Sequence, residues 1–269
     1  KEFQNINHIE VKVLDESDLP PYPHGWKEWT SRMIELIPES IDVVFGGEEE
    51  YRKGINEYMS WVEYHLFDPN RSEFPISATE IRKNPYEHWD YILGSARPHF
   101  AKRVLITGTE SCGKTSITRS LAKLWHTSWA EEEGRFYSEQ FLGDNEDYFT
   151  LEDFGRIAYR HREREEKALR GANKVTFIDT DAVVTQYYCE MFMGGQNKLV
   201  ETLIDPTRYD LVLMFTPDVK WVDDGQRYNS DSKERWKLHE QLRYIYDHHG
   251  FSEKIKVISG NYNHRLKVA

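Results

Sequence analysis

The run Gly108-Thr-Glu-Ser-Cys-Gly-Lys-Thr115 restricts the fold of this chain more than any other stretch. It satisfies G-x-x-x-x-G-K-[ST] in full, and its flanks are those the motif requires. The apolar stretch Arg103–Thr107 precedes it. An amphipathic stretch follows, with Ile117, Leu121, Leu124 and Trp125 assigned to one helical face. Glycines between a strand and a helix let backbone N–H groups turn toward an anion without Cβ clashes, and the helix N-terminus adds partial positive charge. Lys114 is placed to reach the β- and γ-phosphates, and the Thr115 hydroxyl to ligate Mg²⁺. Gly108, Thr109, Glu110, Ser111, Cys112, Gly113, Lys114, Thr115 and Ser116 are therefore the expected ATP- and phosphate-binding residues, and ATP and Mg²⁺ the expected cofactors. The competing reading is a bare glycine-rich turn. Cys112 is either a thiol activated by the helix N-terminus or simply a small loop residue, and the second reading is favoured.

Around this motif, apolar strands at Val104–Thr107, Val175–Asp179, Leu211–Phe215 and Ile255–Ile258 alternate with helical stretches. That alternation predicts an α/β fold with a mostly parallel sheet covered on both faces. A long helix is expected over Leu151–Arg170, with Thr150 and Asp153 in a capping pattern, and its Arg160–Lys167 run is read as a solvated face. A boundary is expected in the turn-rich stretch Gly94–Phe100, which divides the chain into 1–98 and 99–269. Before it, strands are expected at Ile9–Leu14, Asp42–Gly46 and Val62–Phe67, helices near Trp26–Ile37 and Glu49–Tyr58, and an aromatic helix through Trp89, Tyr91 and Ile92.

Charge and cysteine content narrow the partners. The 269 residues carry 35 Lys and Arg against 46 Asp and Glu, a net charge of −11, with no basic tract to attract nucleic acid or an anionic membrane. Two cysteines, Cys112 and Cys189, exclude a disulfide framework or a four-cysteine zinc site and point to a reducing, cytoplasmic setting. No apolar run reaches the ~18 residues of a membrane span. Because the chain starts at Lys1, a preceding segment is expected.

Four further groups carry candidate chemistry. Asp179 ends an apolar strand and is expected to orient Mg²⁺; Asp181, two residues on, is read equally as a site acid or as a helix N-cap. In Glu131-Glu-Glu-Gly-Arg135 an acid can serve as general base and an arginine can hold phosphate, although an exposed acidic turn is the simpler reading. The polar loop Trp221-Val-Asp-Asp-Gly-Gln-Arg227 resembles a lid, with Arg227 or the nearby Arg235 set to neutralise phosphoryl charge. Trp221 is either a stacking platform or a core residue.

In combination these residues resemble one family. The P-loop with Glu110-Ser111, the Glu132-Glu-Gly-Arg135 turn, Phe177-Ile-Asp-Thr-Asp181 with Thr185-Gln186, Leu203-Ile-Asp205 with Arg208–Leu211, and Trp221–Arg227 are similar to the ribosylnicotinamide kinase domain of NadR-type bifunctional enzymes of NAD synthesis, over residues 100–269. Residues 1–98 are similar to the C-terminal part of a Rossmann-like nicotinamide mononucleotide (NMN) adenylyltransferase domain. Leu14–Asp18, Pro23–Trp26 with Trp29, Val43–Phe45 and Ile76–Arg82 carry that likeness.

The resemblance implies an ATP-dependent kinase that phosphorylates nicotinamide riboside (NR) on its 5′-hydroxyl to give NMN. It implies Lys114 and Asp179 in catalysis, with Asp181 or Glu132 as proton acceptor, and Thr115 and Asp179 on the metal. Glu132, Arg135, Asp181, Gln186 and Trp221 would bind the riboside, with Arg227 and Arg235 on the phosphates. In the first segment it implies Ser77, Thr79 and Arg82 on ATP phosphates and Trp26 or Trp29 on nicotinamide. The G-x-F-x-P-x-H-x-G-H motif of such adenylyltransferases is absent from these residues, so adenylylation is expected to be lost or incomplete in this chain. NR, NMN and ATP are the implied small-molecule partners, with a homo-oligomer as a possible assembly. The rival readings are a kinase for another nucleoside and an ATP-sensing P-loop protein without chemistry.

Overall fold

The computed structural model describes residues 3, 6–21, 23–220 and 231–269. The chain divides into two compact units, Lys1–Tyr91 and Ile92–Ala269. The division lies just ahead of the turn-rich stretch where the sequence suggests a boundary. Trp89–Tyr91 is a single 3₁₀ turn rather than the expected helix, closed by the Tyr91 N–H on the His88 carbonyl.

The first unit contains α1 (Trp26–Leu36), β1 (Val43–Gly46), α2 (Glu50–Tyr58), β2 (Glu63–Leu66) and α3 (Ala78–Lys83). β1 and β2 pair in parallel, with Val44 opposite Tyr64. Their core is Ile55, Met59, Val62 and Tyr64, against which Trp26, Trp29 and Met33 pack. Gly54 makes this possible, because a Cβ there would lie 2.3 Å from the Trp26 ring. The expected strand at Ile9–Leu14 is absent: the segment has no sheet partner, and Val11 and Val13 are 65% and 85% exposed. An apolar alternation forms a strand only where an edge receives its backbone groups.

The second unit contains α4 (Arg97–Phe100), β3 (Lys102–Thr107), α5 (Lys114–Leu124), β4 (Trp129–Ala130), α6 (Glu133–Phe141), α7 (Leu151–Arg170), β5 (Val175–Asp179), α8 (Ala182–Met193), α9 (Lys198–Leu203), β6 (Leu211–Phe215), α10 (Ser232–His248), β7 (Ile255–Ile258) and α11 (Tyr262–Val268). The five strands form one parallel sheet in the order β4-β5-β3-β6-β7. Successive strand residues point to opposite faces, and here each face has its own core. Leu105, Ile178, Val212 and Met214 pack on one side with Val183 and Val184 of α8 and Leu242 and Tyr246 of α10. Ile106, Phe177, Leu213 and Phe215 pack on the other with Ile117, Leu121 and Ala122 of α5. Burial on both faces explains why these strands are apolar runs rather than alternations. A Leu213→Ala change in such a core costs about 2–5 kcal/mol.

The buried stripe of α5 stops earlier than its periodicity suggests. Ile117 and Leu121 are buried, whereas Leu124 and Trp125 are 62% and 57% exposed. The chain turns away there through His126, whose φ is +48°, and the Thr127 N–H closes on the Ala122 carbonyl. α7 spans Leu151–Arg170 behind a capping box of Thr150 and Asp153. Among the described residues no helix is long and apolar enough to cross a membrane.

Candidate active site

The carboxyl ends of β3, β5 and β6 meet at the P-loop, where ligands of open α/β sheets lie. Gly108 leaves β3 with φ +140°, and a Cβ on it would sit 2.5 Å from the Phe215 carbonyl oxygen. Gly113 has φ +82° at the N-cap of α5. Both conformations favour glycine. Between them the backbone is held by side chains from the far end of the chain. Arg265 of α11, 1% exposed, donates to the carbonyls of Cys112 (2.7 Å), Thr216 (2.9 Å) and Gly260 (2.6 Å) and pairs with Asp218. Arg235 of α10, also buried, donates to the carbonyls of Ser111 (3.3 Å) and Val219 (2.9 Å). Arg235 is thus a brace behind the loop, where the sequence reading made it a lid arginine over the phosphates.

Lys114 is buried, and its Nζ donates to the Thr109 carbonyl at 3.0 Å. Burial works against its charge, but Cys112 and the carboxylates of Glu132, Asp179 and Glu110 together outweigh that penalty and raise its pKa. Cys112 is 1% exposed and donates to the same carbonyl; burial pushes its thiol up, so it is a packed loop residue and not an activated nucleophile.

Asp179 ends β5 fully buried. Its Oδ2 accepts the Thr115 hydroxyl at 2.6 Å, and its Oδ1 makes no hydrogen bond in the protein. Burial, reinforced by Glu132, pushes it up to about 7, against the pull of Lys114 and the Thr115 hydrogen bond. Asp181 takes the other branch of its two readings. It is the N-cap of α8, accepting the Val184 N–H at 3.3 Å and the Tyr246 hydroxyl at 2.5 Å. Burial pushes it too up to about 7.

A cavity opens from the P-loop. Glu110, Lys114, Thr115 and Ser116 line one end, Glu132 and Arg135 a side, and Phe149, Phe154, Tyr188 and Phe192 the far end. Glu132 is half-buried at the N-cap position of α6. Its neighbour Glu133 is 1% exposed and pairs with Arg160 (2.8 Å) and Arg164 of α7. The acidic turn is therefore an internal joint between α6 and α7, contrary to the exposed reading. The Arg160–Lys167 run is only partly a solvated face, with Glu163 and Lys167 exposed. His161 and Glu165 are buried, and Glu165 accepts from the Tyr209 hydroxyl at 2.8 Å and from Arg208 at 3.1 Å.

Gln186 is turned away from this cavity. It is buried, accepts the Asn197 N–H at 3.3 Å and lies 3.4 Å from Glu201, tying α8 to α9. Asp181 is also absent from the cavity wall. Trp221 and Arg227 lie outside the described residues. The sequence reading did not find Arg265, the four aromatic rings, Ser138 or His161. Only the apolar spacing of α7, with His161 falling one turn after Ile157 and Ala158, signalled the last.

In the first unit, Trp26 and Trp29 line a second cavity with Glu16, Tyr51 and Tyr64. The two indoles meet edge to face at 5.5 Å, and Trp29 Nε1 donates to Glu16 at 3.0 Å. Ser77 forms a reciprocal capping box with Glu80 at the start of α3, while Thr79 and Arg82 are exposed.

Residues 103–265 match the family described as AAA domain. A crystal structure of NadR protein in complex with NR superposes with a TM-score of 0.78 at 30% identity, covering 97% of this chain and 74% of that one. The chain belongs to the NadR family. A second NadR structure, in complex with NAD and AMP-PNP, gives a TM-score of 0.77 at 29% identity over 98% of this chain and 76% of that one. The trifunctional NAD biosynthesis/regulator protein NadR of Escherichia coli (strain K12) is 33% identical over 267 residues, 98% of this chain. The chain spans 65% of the length of that curated NadR relative.

Proposed function

We propose that this chain transfers the γ-phosphoryl group of ATP to the 5′-hydroxyl of nicotinamide riboside, giving NMN and ADP. The observation that carries this reading is the single cavity that joins Lys114 and Thr115 to an aromatic end suited to a flat ring. The NadR relatives solved with NR and with AMP-PNP support the same two occupants.

In this mechanism the P-loop amides and Lys114 hold the β- and γ-phosphates, and the aromatic end orients the riboside so that its 5′-oxygen faces the γ-phosphorus in line. Positioning and charge neutralisation supply most of the acceleration of such transfers. Glu132 accepts the hydroxyl proton, since it lines the cavity while Asp181 is committed to capping α8 and to Tyr246. Arg135 lines the same wall and stabilises the charge of the acceptor side.

The donor set fits Mg²⁺. Thr115 Oγ1 and Asp179 lie together at the phosphate end, and the unbonded, buried Asp179 Oδ1 is a hard oxygen waiting for a cation or its water. Mg²⁺ uses one or two protein oxygens plus phosphates, and among the described residues no cluster of three His, Cys, Asp or Glu side chains offers it a fuller cage. When bound there by Thr115 and Asp179, the ion would supply positive charge to offset that of the phosphates. Residues 1–98, which contain the first unit, are read as the C-terminal part of an NMN adenylyltransferase domain, with Trp26 and Trp29 as its ring-binding side. The kinase domain then occupies 99–269.

Incubation with ATP and Mg²⁺ and either NR, cytidine or uridine tests the assignment. NR is expected to be converted to NMN at a kcat/KM at least about 10²-fold above either pyrimidine nucleoside. Phosphorylation of a pyrimidine nucleoside alone would move the site to another substrate class.

A further inference from the structure

The chain does not leave β5 as an extended strand. Along β5 the side chains alternate between the two cores, with Phe177 on the α5 side and Ile178 on the side of α8 and α10. Asp179 returns to the α5 side, where it accepts the Thr115 hydroxyl at 2.6 Å. An extended continuation would bring Asp181 to that same side, beside Asp179. Instead Asp181 accepts from the Val184 N–H of α8 and the Tyr246 hydroxyl of α10, on the opposite side. The residue between them makes the difference. Thr180 is buried and has φ +66°. Among the described residues it is the one β-branched residue with positive φ. A β-branched side chain is strained there, and such strain persists only where the surroundings hold it.

Both backbone polar groups of Thr180 are tied. Its N–H donates to the Ile106 carbonyl of β3 at 3.0 Å. Its carbonyl oxygen lies 3.0 Å from His161 Nε2 of α7. A carbonyl can only accept, so Nε2 carries the proton and donates. His161 is 3% exposed, and Glu165, one turn further along α7, lies 3.7 Å from the same nitrogen. The first tie belongs to the sheet backbone, whereas the second is made by a side chain. Without that second tie, Thr180 relaxes toward the negative φ that β-branched residues prefer. Asp179 is its immediate neighbour, so the relaxation draws the carboxylate away from Thr115.

We propose that His161 is a positioning residue for the phosphate end. By holding Thr180 in its left-handed conformation, it keeps Asp179 on the P-loop side of the sheet and Asp181 on the other. It acts through the Thr180 peptide, from a helix that contributes nothing to the P-loop itself. This rests on the reading of Asp179 as the carboxylate that holds Mg²⁺.

The test measures AMP-PNP affinity by calorimetry with and without Mg²⁺, alongside kcat and KM for NR. In the wild type Mg²⁺ is expected to strengthen AMP-PNP binding, and Asp179→Asn to abolish that gain. His161→Phe keeps a ring and removes the donor. The Mg²⁺ gain and kcat should each fall about tenfold, with KM for NR within about twofold of the wild type. His161→Gln, whose amide N–H can reach the same carbonyl, should stay within about threefold of the wild type. Thr180→Gly added to His161→Phe should restore the gain, because glycine adopts positive φ without a clamp. A merely structural role would lower the melting temperature and leave the Mg²⁺ gain alone. An unchanged gain in His161→Phe, or a loss that Thr180→Gly does not restore, overturns the proposal while the metal reading survives. If His161→Phe does not fold, His161→Asn, whose amide is one bond too short for that carbonyl, is read in the same way. A wild type whose AMP-PNP affinity ignores Mg²⁺, or an Asp179→Asn variant that keeps the gain, overturns the metal reading and the proposal together.

Discussion

The two ends of the P-loop cavity are built on opposite terms. At the phosphate end most polar groups are tied within the protein: Lys114 lies on the Thr109 carbonyl, Thr115 on Asp179, and Arg265 and Arg235 on the carbonyls of Cys112 and Ser111, while Thr109 Oγ1 makes no hydrogen bond. The other end is built from the rings of Phe149, Phe154, Tyr188 and Phe192, which contact one another. The first end is preorganised and keeps its shape without a ligand. The second is, in the proposed reading, a bed for a flat ring. Asp179 Oδ1 is an unbonded atom at the phosphate end, and it is the atom assigned to the metal.

Variants that strike one end and spare the other sharpen this contrast. The largest effect is expected from Gly108→Ala. Its φ of +140° and the Phe215 oxygen at 2.5 Å leave no room for a Cβ. Backbone strain of about 1–3 kcal/mol adds to that clash, so ATP affinity measured by calorimetry should fall about 10²-fold or more. Asp179→Asn removes the buried carboxylate proposed to hold the metal. Turnover should fall about 10²–10³-fold across a Mg²⁺ titration, with NR affinity retained. At the other end, Phe149→Leu trims one ring of the aromatic group. KM for NR should rise about 3–10-fold, with KM for ATP unchanged in steady-state kinetics.

The smallest effect is on stability. Asp181 is held up to about 7 by burial, so the folded chain binds its proton more tightly than the unfolded chain. The group therefore weakens folding as pH rises from about 4 toward 7, the window between its unfolded and folded values. Asp181→Asn removes that contribution, and urea midpoints measured across this window should decline less steeply than in the wild type.

The same contrast explains what the sequence disclosed. The phosphate end is one contiguous octapeptide plus the end of one strand, so Gly108–Thr115 and Asp179 are legible without a structure. The parallel strands are legible too, because burial on both faces leaves apolar runs such as Leu211–Phe215. The acceptor end is assembled from α6, α7, α8 and the loop before α7, and no local spacing links Ser138 to Phe192. Gln186 misled because a polar residue on a helix facing the right strand can equally serve a neighbouring helix, as it does for α9. Arg235 misled for a related reason. An arginine beside a polar loop looks like a lid residue, and only the fold reveals that it reaches behind the P-loop. Arg265 left no signal, since its partners are backbone carbonyls supplied by distant turns.

Lys114→Ala tests most directly whether one cavity joins a phosphate end to an independent acceptor end. NR binding by calorimetry and NMN formation from ATP and NR are measured on the same preparation. The account predicts that NR still binds within about threefold of the wild type, whereas NMN formation falls by at least about 10²-fold. Loss of NR binding, or transfer at the wild-type rate, would contradict it.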